Sequence, residues 1–302
     1  MNVLDQQQVL IELGSHKRYP YQARKSPSFS HWPEEKTLAV YFAMNLEHFS
    51  FDSPEGAKLI PQSHQPDVLN YSWRDYGNRV GAWYLADLFR ETNIPPAVIA
   101  NTSILDYCPE LLDNWLALPG SELIAHGHTN SQRQGELMSD QEAELIRYCY
   151  RRLTEYQAKP VNGWLSPWIS ESMDTPEHLR ANNFLYTLNW AHDDTPGLFR
   201  TEKGSLLSIP YPQEINDIPT IIPNGASMPV FCQMIEDQFT ELLRRSGSQP
   251  QVMGIALHPY IVGQPFRMHR LRETLFRLME QQDKFWLTTP GQIADHFLQH
   301  DI

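Results

Sequence analysis

Cysteine is scarce: 3 in 302 residues, at Cys108, Cys149 and Cys232, with no CxxC spacing. An odd, scattered set excludes a disulfide scaffold and a cysteine-built zinc site. Glycine is sparse too, with 15 residues. No GxGxxG or P-loop spacing occurs, which removes the phosphate-cradling turns of nucleotide folds. Basic residues are outnumbered, 24 Lys and Arg against 36 Asp and Glu, for a net charge of −12. Without a basic face the chain is expected to bind neither nucleic acid nor an anionic membrane surface. No run of about 20 apolar residues exists to span a bilayer. Residues 1–30 contain no apolar stretch of the signal-peptide kind, so a cytoplasmic protein is the expectation.

What is present is a globular composition, 41% hydrophobic and 20% charged, with 8 Trp, 13 Tyr and 13 Phe. Aromatics at that density fill a core and also line small-molecule pockets. Residues 1–35 read as an irregular arm broken by Pro20, Pro27 and Pro33, since proline interrupts long elements. Residues 36–302 read as a single domain. Strands are expected at 37–45, 97–100, 122–125, 161–165, 185–189, 206–210 and 252–257, with a last one at 285–287. Helical spacing fills the intervals, at 76–92, 109–118, 139–157, 175–183, 230–245, 266–282 and 291–299. Ser139 and Glu142 look like a capping box, and Thr175 before Pro176 like a helix start. Such alternation implies a parallel sheet, and roughly seven or eight units close into a barrel. An open doubly wound sheet is the alternative.

Function is read from the strand ends, because a β/α barrel builds its active site at the C-terminal face. The first strand ends at Asn45, Glu47 and His48, the third at His126, His128 and Asn130. Ser166 and Trp168 follow the fourth, and Trp190, Asp193 and Asp194 the fifth. Glu214, Asn216 and Asp217 follow the sixth, and His258 ends the seventh. Any one of these alone is as readily a helix cap or a satisfied loop residue. Together, carboxylates and imidazoles on one face suit hydrolysis, in which one group activates water and another protonates the leaving atom. Glu47, directly after an apolar strand, is expected to be desolvated and raised in pKa towards a working base. His126 and His128 flank Gly127 and, on an extended chain, would share a face. Arg267 reads as either a carboxylate binder or a loop cap.

The runs NLEHFSFD (45–52), ELIAHGHTN (122–130), GWLSPW (163–168), YTLNWAHDD (186–194), PYPQEINDIP (210–219) and ALHPYIVGQPFR (256–267) resemble the NodB-homology polysaccharide deacetylases. The branch they are most similar to is that of the PuuE-type allantoinases. The resemblance covers about residues 36–298 and implies an α/β fold, a deformed (β/α)7 TIM-like barrel, with hydrolysis of amide-type C–N bonds. It makes Glu47 the general base and His258 the general acid. It places His48, His126 and Asn130 where a deacetylase has its Asp-His-His metal set, and Trp164 or a neighbour where it has an Arg. An amide oxygen is a poor zinc ligand. The departures therefore imply a metal-free site, in which Asn130, Asn216, His126 or backbone N–H groups meet the oxyanion charge, over a retained metal that recruits His128.

Three readings follow. The first is a metal-independent amidohydrolase opening a small allantoin-like ureide. Glu47, His126 and His258 are then catalytic, and His128, Asn130, Trp168, Asp193, Asp194, Glu214, Asn216, Asp217 and Arg267 bind substrate or orient the imidazoles. The second is an N-acetyl-sugar deacetylase with zinc or another divalent metal on His48 and His126. The third is an inactive ligand-binding barrel, which retention of both Glu47 and His258 argues against. The resemblance also suggests a homo-oligomer.

Overall fold

The computed structural model describes residues 16–21, 29–51, 53, 55–61, 63–247 and 249–300. Most of the arm expected over 1–35 therefore lies outside the described residues. Within the rest, Tyr19 stacks on His192 and Phe199, and Trp32 is buried with its Nε1 donating to the Gln251 carbonyl, 2.9 Å.

A nine-stranded sheet runs in the order β6-β7-β5-β4-β3-β2-β1-β8, with β9 also on β1. The strands are β1 (Leu38–Leu46), β2 (Pro96–Ala100), β3 (Glu122–Ala125), β4 (Gly163–Trp164), β5 (Tyr186–Thr187), β6 (Gly197–Thr201), β7 (Gly204–Ser208), β8 (Gln251–Leu257) and β9 (Trp286–Thr288). All pairs are parallel except the β6–β7 hairpin. That hairpin was not expected; its first strand is only partly buried and carries no apolar run. The helices are α1 (Val68–Tyr76), α2 (Ala82–Thr92), α3 (Ile104–Tyr107), α4 (Pro109–Leu116), α5 (Ser139–Gln157), α6 (Thr175–Ala181), α7 (Asp217–Ile221), α8 (Met228–Ser246), α9 (Pro259–Val262), α10 (Pro265–Met279) and α11 (Pro290–His300). The sheet curls into the expected deformed barrel but leaves a seam between its two end strands, β6 and β8. Among the described residues that seam is crossed by one bridge, Asn216 to Ala256, and by Val252 N–H on the Asp194 carbonyl, 2.8 Å.

β1 is buried at every position, as expected of a parallel strand covered on both faces. Its alternate residues Ala39, Tyr41 and Ala43 pack inside with Ile99, Ile124, Leu188 and Ala256. Leu38, Val40, Phe42 and Met44 pack outward under the helices. This period of two aims whatever follows the strand.

Between α1 and α2 lies a π-helical turn, Gly77–Gly81, a wide turn that often marks functional sites. It docks backbone to backbone on α9. A Cβ at Gly81 would stand 2.4 Å from the Pro259 carbonyl oxygen, and one at Gly77 2.6 Å from Tyr260 N. The capping expectations need correction. α5 has Met138 as its N-cap, and Glu142 is buried, accepting from Gln134 Nε2 at 2.7 Å and from Ser172 and Thr175 hydroxyls. Thr175 is already inside α6, whose N-cap is Asp174.

Candidate active site

Strand parity delivers the central group. Continuing the inward series of β1 brings Asn45 and Glu47 into the barrel mouth. Continuing Ile124 brings His126, and continuing Ala256 brings His258. Glu47, His126 and His258 line one cavity of about 200 Å³ with Asn45, Asn130, Ser166, Trp168, Tyr211, Asn216 and Tyr260. Leu165, Ile169, Ile218 and Pro219 supply apolar wall, and no Lys or Arg lines it.

Glu47 is the hub of this cavity. Its Oε1 stands 3.5 Å from His126 Nε2 and 3.5 Å from His258 Nε2, while Tyr260 OH donates to Oε2 at 2.9 Å. Asn78, on the π-helical turn, donates to the Glu47 carbonyl at 2.8 Å and fixes the backbone. His258 Nδ1 donates to Asp217 Oδ1, 2.5 Å, and its backbone N–H donates to Asp217 Oδ2, 2.8 Å. His126 Nδ1 faces the Leu165 carbonyl at 2.7 Å, so Nδ1 carries the proton. Its Nε2 is buried and makes no hydrogen bond, with Glu47 Oε1 3.5 Å away.

The electrostatics correct one expectation. Burial does push the Glu47 carboxyl up, but His258 and His126 outweigh it and hold the pKa down at about 2. Burial alone would lower His258; Asp217 and then Glu47 overcome it and raise the imidazole to about 10. The resting pair is thus a carboxylate facing an imidazolium. The sequence shows Glu47's burial but not the cation opposite it.

Several expected binding residues lie elsewhere. His48 has the opposite parity to Glu47 and leaves the cavity. It stacks on Tyr107 at 4.6 Å, where burial lowers its pKa. His128 does not share a face with His126, because Gly127 at φ 62° breaks the extended path. Its Nδ1 meets Thr102 Oγ1 at 2.8 Å instead. Asp193, Asp194 and Glu214 face a separate cleft along the seam, with Asp237 and Glu241. Asp193 accepts from its neighbour Thr195, 3.2 Å to both N and Oγ1. Arg267 donates to the Ile261 carbonyl, 3.2 Å, and does not reach the cavity lining. Asp217 is fully buried, is bonded twice to His258 and is not among the residues that line the cavity. Asn130, Trp168 and Asn216 do line the cavity, although Asn216 Oδ1 also caps α7 through Ile218 N, 3.1 Å. Tyr260 and Tyr211 were not singled out. The signal for Tyr260 was its place in the His-Pro-Tyr run.

Gly127 serves a second purpose. A Cβ there would meet Pro167 Cγ at 2.7 Å, so the loop after β3 packs flat on the turn holding Trp168. Gly127→Ala is expected to cost about 1–3 kcal/mol, from a left-handed backbone and a steric clash together. Urea unfolding of the variant against wild type measures it.

A zinc does not fit these side chains. Among the described residues no three His, Cys, Asp or Glu groups converge as a metal site. His48 faces away, His258 holds its proton, and Asn130 Oδ1 already accepts from Asn101 Nδ2 at 2.8 Å.

The chain matches no protein-family model. Over 298 residues it is 24% identical to a Schizosaccharomyces pombe (strain 972 / ATCC 24843) protein named "Putative polysaccharide deacetylase", covering 87% of this chain and 91% of that one. A crystal structure titled "probable Polysaccharide deacetylase from Pseudomonas aeruginosa PAO1" superposes with a TM-score of 0.79 at 25% identity, covering 93% of this chain and 98% of that one. The chain has the polysaccharide deacetylase fold. Within that fold the crystal structure of Puue allantoinase is similar to the same degree, with a TM-score of 0.80 at 23% identity over 93% of this chain and 98% of that one. The polysaccharide deacetylase barrel thus accommodates, among proteins similar to this one, names of both polymer and small-molecule hydrolases.

Proposed function

We propose that this protein is a metal-independent hydrolase that opens a C–N bond in a small, neutral amide or cyclic ureide of the allantoin kind. The observation that carries the reading is the Glu47 carboxylate held between His126 and a protonated, Asp217-backed His258 in one small cavity. About 200 Å³ suits a small molecule, and a wall without Lys or Arg suits a neutral one.

The chemistry follows from the charges. Glu47 takes a proton from water as the water oxygen attacks the substrate carbonyl carbon. Negative charge gathers on the carbonyl oxygen, where Asn130 stands as a neighbouring polar group. His258 Nε2–H then protonates the leaving nitrogen. Glu47 is then protonated and His258 neutral; passage of the proton from Glu47 to His258 Nε2, 3.5 Å away, restores the resting pair. Asp217 keeps the imidazole in the tautomer whose Nε2 faces the cavity.

The test is ring opening of allantoin followed by NMR, with protein exhaustively treated with chelator. Turnover unchanged by chelation is expected. Turnover that disappears on chelation and returns with zinc would sink the metal-independent mechanism. The names of the deacetylase relatives favour a second reading, acetate release from an N-acetylated sugar, and the same protein assayed for acetate decides between the two.

A further inference from the structure

Asn101, directly after β2, is fully buried and was not among the expected site residues. Its Oδ1 accepts from the backbone N–H of His48 at 2.8 Å. Its Nδ2 donates to the His126 carbonyl and, at 2.8 Å, to Asn130 Oδ1. The ends of β1, β2 and β3 therefore meet on one side chain.

The two ends of an amide group differ only in whether they donate or accept, and their order is set by the partners around them. For Asn101 those partners are backbone groups with no choice. A backbone N–H can only donate, so it must meet Oδ1. A carbonyl can only accept, so it must meet Nδ2. Asn101 then offers Asn130 a donor, and Asn130 must answer with Oδ1. The remaining end of Asn130, Nδ2, makes no hydrogen bond among the described residues, and Asn130 is one of the residues that line the cavity. The backbone of Asn130 is pinned too. Its N–H donates to the His48 carbonyl at 3.0 Å, and its own carbonyl accepts from Trp168 Nε1 at 2.9 Å.

We infer that Asn101 is a positioning residue that fixes the sense of the Asn130 amide, so that the cavity presents an N–H donor to the substrate's carbonyl oxygen. The polarity of one backbone N–H and one carbonyl is handed through two amides to the reacting atom. The donor is preorganised before substrate arrives, which is the condition under which such a group stabilises developing negative charge most. This rests on the hydrolase reading above for its consequence, but not for its geometry.

Two measurements separate these parts. Neutron diffraction of the unliganded, deuterium-exchanged protein reads the amide sense directly. Deuterium is expected on the Asn130 atom facing the cavity; deuterium on the atom facing Asn101 overturns the inference. The kinetic arm uses Asn130→Asp, which keeps the oxygen that Asn101 needs and replaces only the donor. Its kcat is expected to fall roughly a hundredfold or more with KM nearly unchanged, as for loss of an oxyanion donor. Full kcat in this variant overturns the inference, because a purely structural Asn130 needs only the retained oxygen. Asn101→Ala should lower kcat about tenfold in the wild-type background and by less than about twofold in an Asn130→Ala background, since it acts through Asn130. An equal loss in both backgrounds assigns Asn101 to stability alone. Should Asn101→Ala not fold, Asn130→Asp and the neutron map still decide. A wild-type protein that hydrolyses no amide or ureide, with deuterium on the cavity-facing atom, removes the hydrolase reading and leaves the amide sense standing.

Discussion

Glu47→Gln is expected to lower kcat on the ring-opening substrate by about a thousandfold, the range for removing a general base. The change is isosteric, and the Tyr260 hydroxyl can still donate to the remaining oxygen, so the fold should persist. What disappears is the acceptor for the water proton and the negative charge between His126 and His258. KM should move little, because the residues that enclose the substrate stay in place. A second consequence follows for His258. Glu47 is one of the charges that raise the imidazole, so its proton should be lost at lower pH in the variant. A single-turnover assay and an NMR titration of His258 read the two effects. Wild-type kcat in the variant would remove Glu47 from the mechanism.

Asp217→Asn is expected to lower kcat by roughly a hundred- to ten-thousand-fold, as when the carboxylate behind a catalytic imidazole is replaced. The sharper readout is the pH profile. In the wild type His258 must keep its proton to act as acid, and its pKa is raised to about 10. Activity should therefore hold through neutral pH and fall as pH rises through that value. Asp217 is the leading cause of the elevation after the opposing effect of burial. Without it the alkaline limb should move down towards the ordinary imidazole value of 6.5. The same sign governs stability. A raised folded pKa on His258 contributes stability that is complete below about 6.5 and is lost as pH climbs through the folded value. The depressed Glu47 works at the other end. Its contribution is present above the ordinary 4.5 and is lost as pH falls towards about 2. A profile unmoved in Asp217→Asn would show that Asp217 does not set the acid.

Much of this was legible in the sequence because a buried parallel strand has so little freedom. The run LAVYFAMNL could only be a strand covered on both faces, and its alternation determines that Glu47 faces inward. The same counting sends His48 outward, away from any metal shared with His126; chemistry-first reading of the motif passed over that parity. His128 was assigned to the wrong face for a different reason. Its i, i+2 relation to His126 holds only on extended backbone, and Gly127 is not extended. Asp193, Asp194 and Glu214 were misplaced because they lie on the connections before and after the unexpected β6–β7 hairpin, which line a separate cleft. The low pKa of Glu47 depends on a contact between residues 211 positions apart in the chain, which no local pattern encodes. Tyr260 was adjacent to a recognised residue, yet its aim at Glu47 depends on α9 being seated by the π-helical turn.

The unpaired seam also has a mechanical meaning. Asp217 lies on the chain after β7 and His258 directly after β8, so the ion pair adds a further tie beside the Asn216–Ala256 bridge and the Val252–Asp194 hydrogen bond. The proton-handling dyad doubles as a clasp. In the proposed mechanism His258 gives up its proton in each cycle, and the clasp then keeps its hydrogen bond but loses its charge attraction.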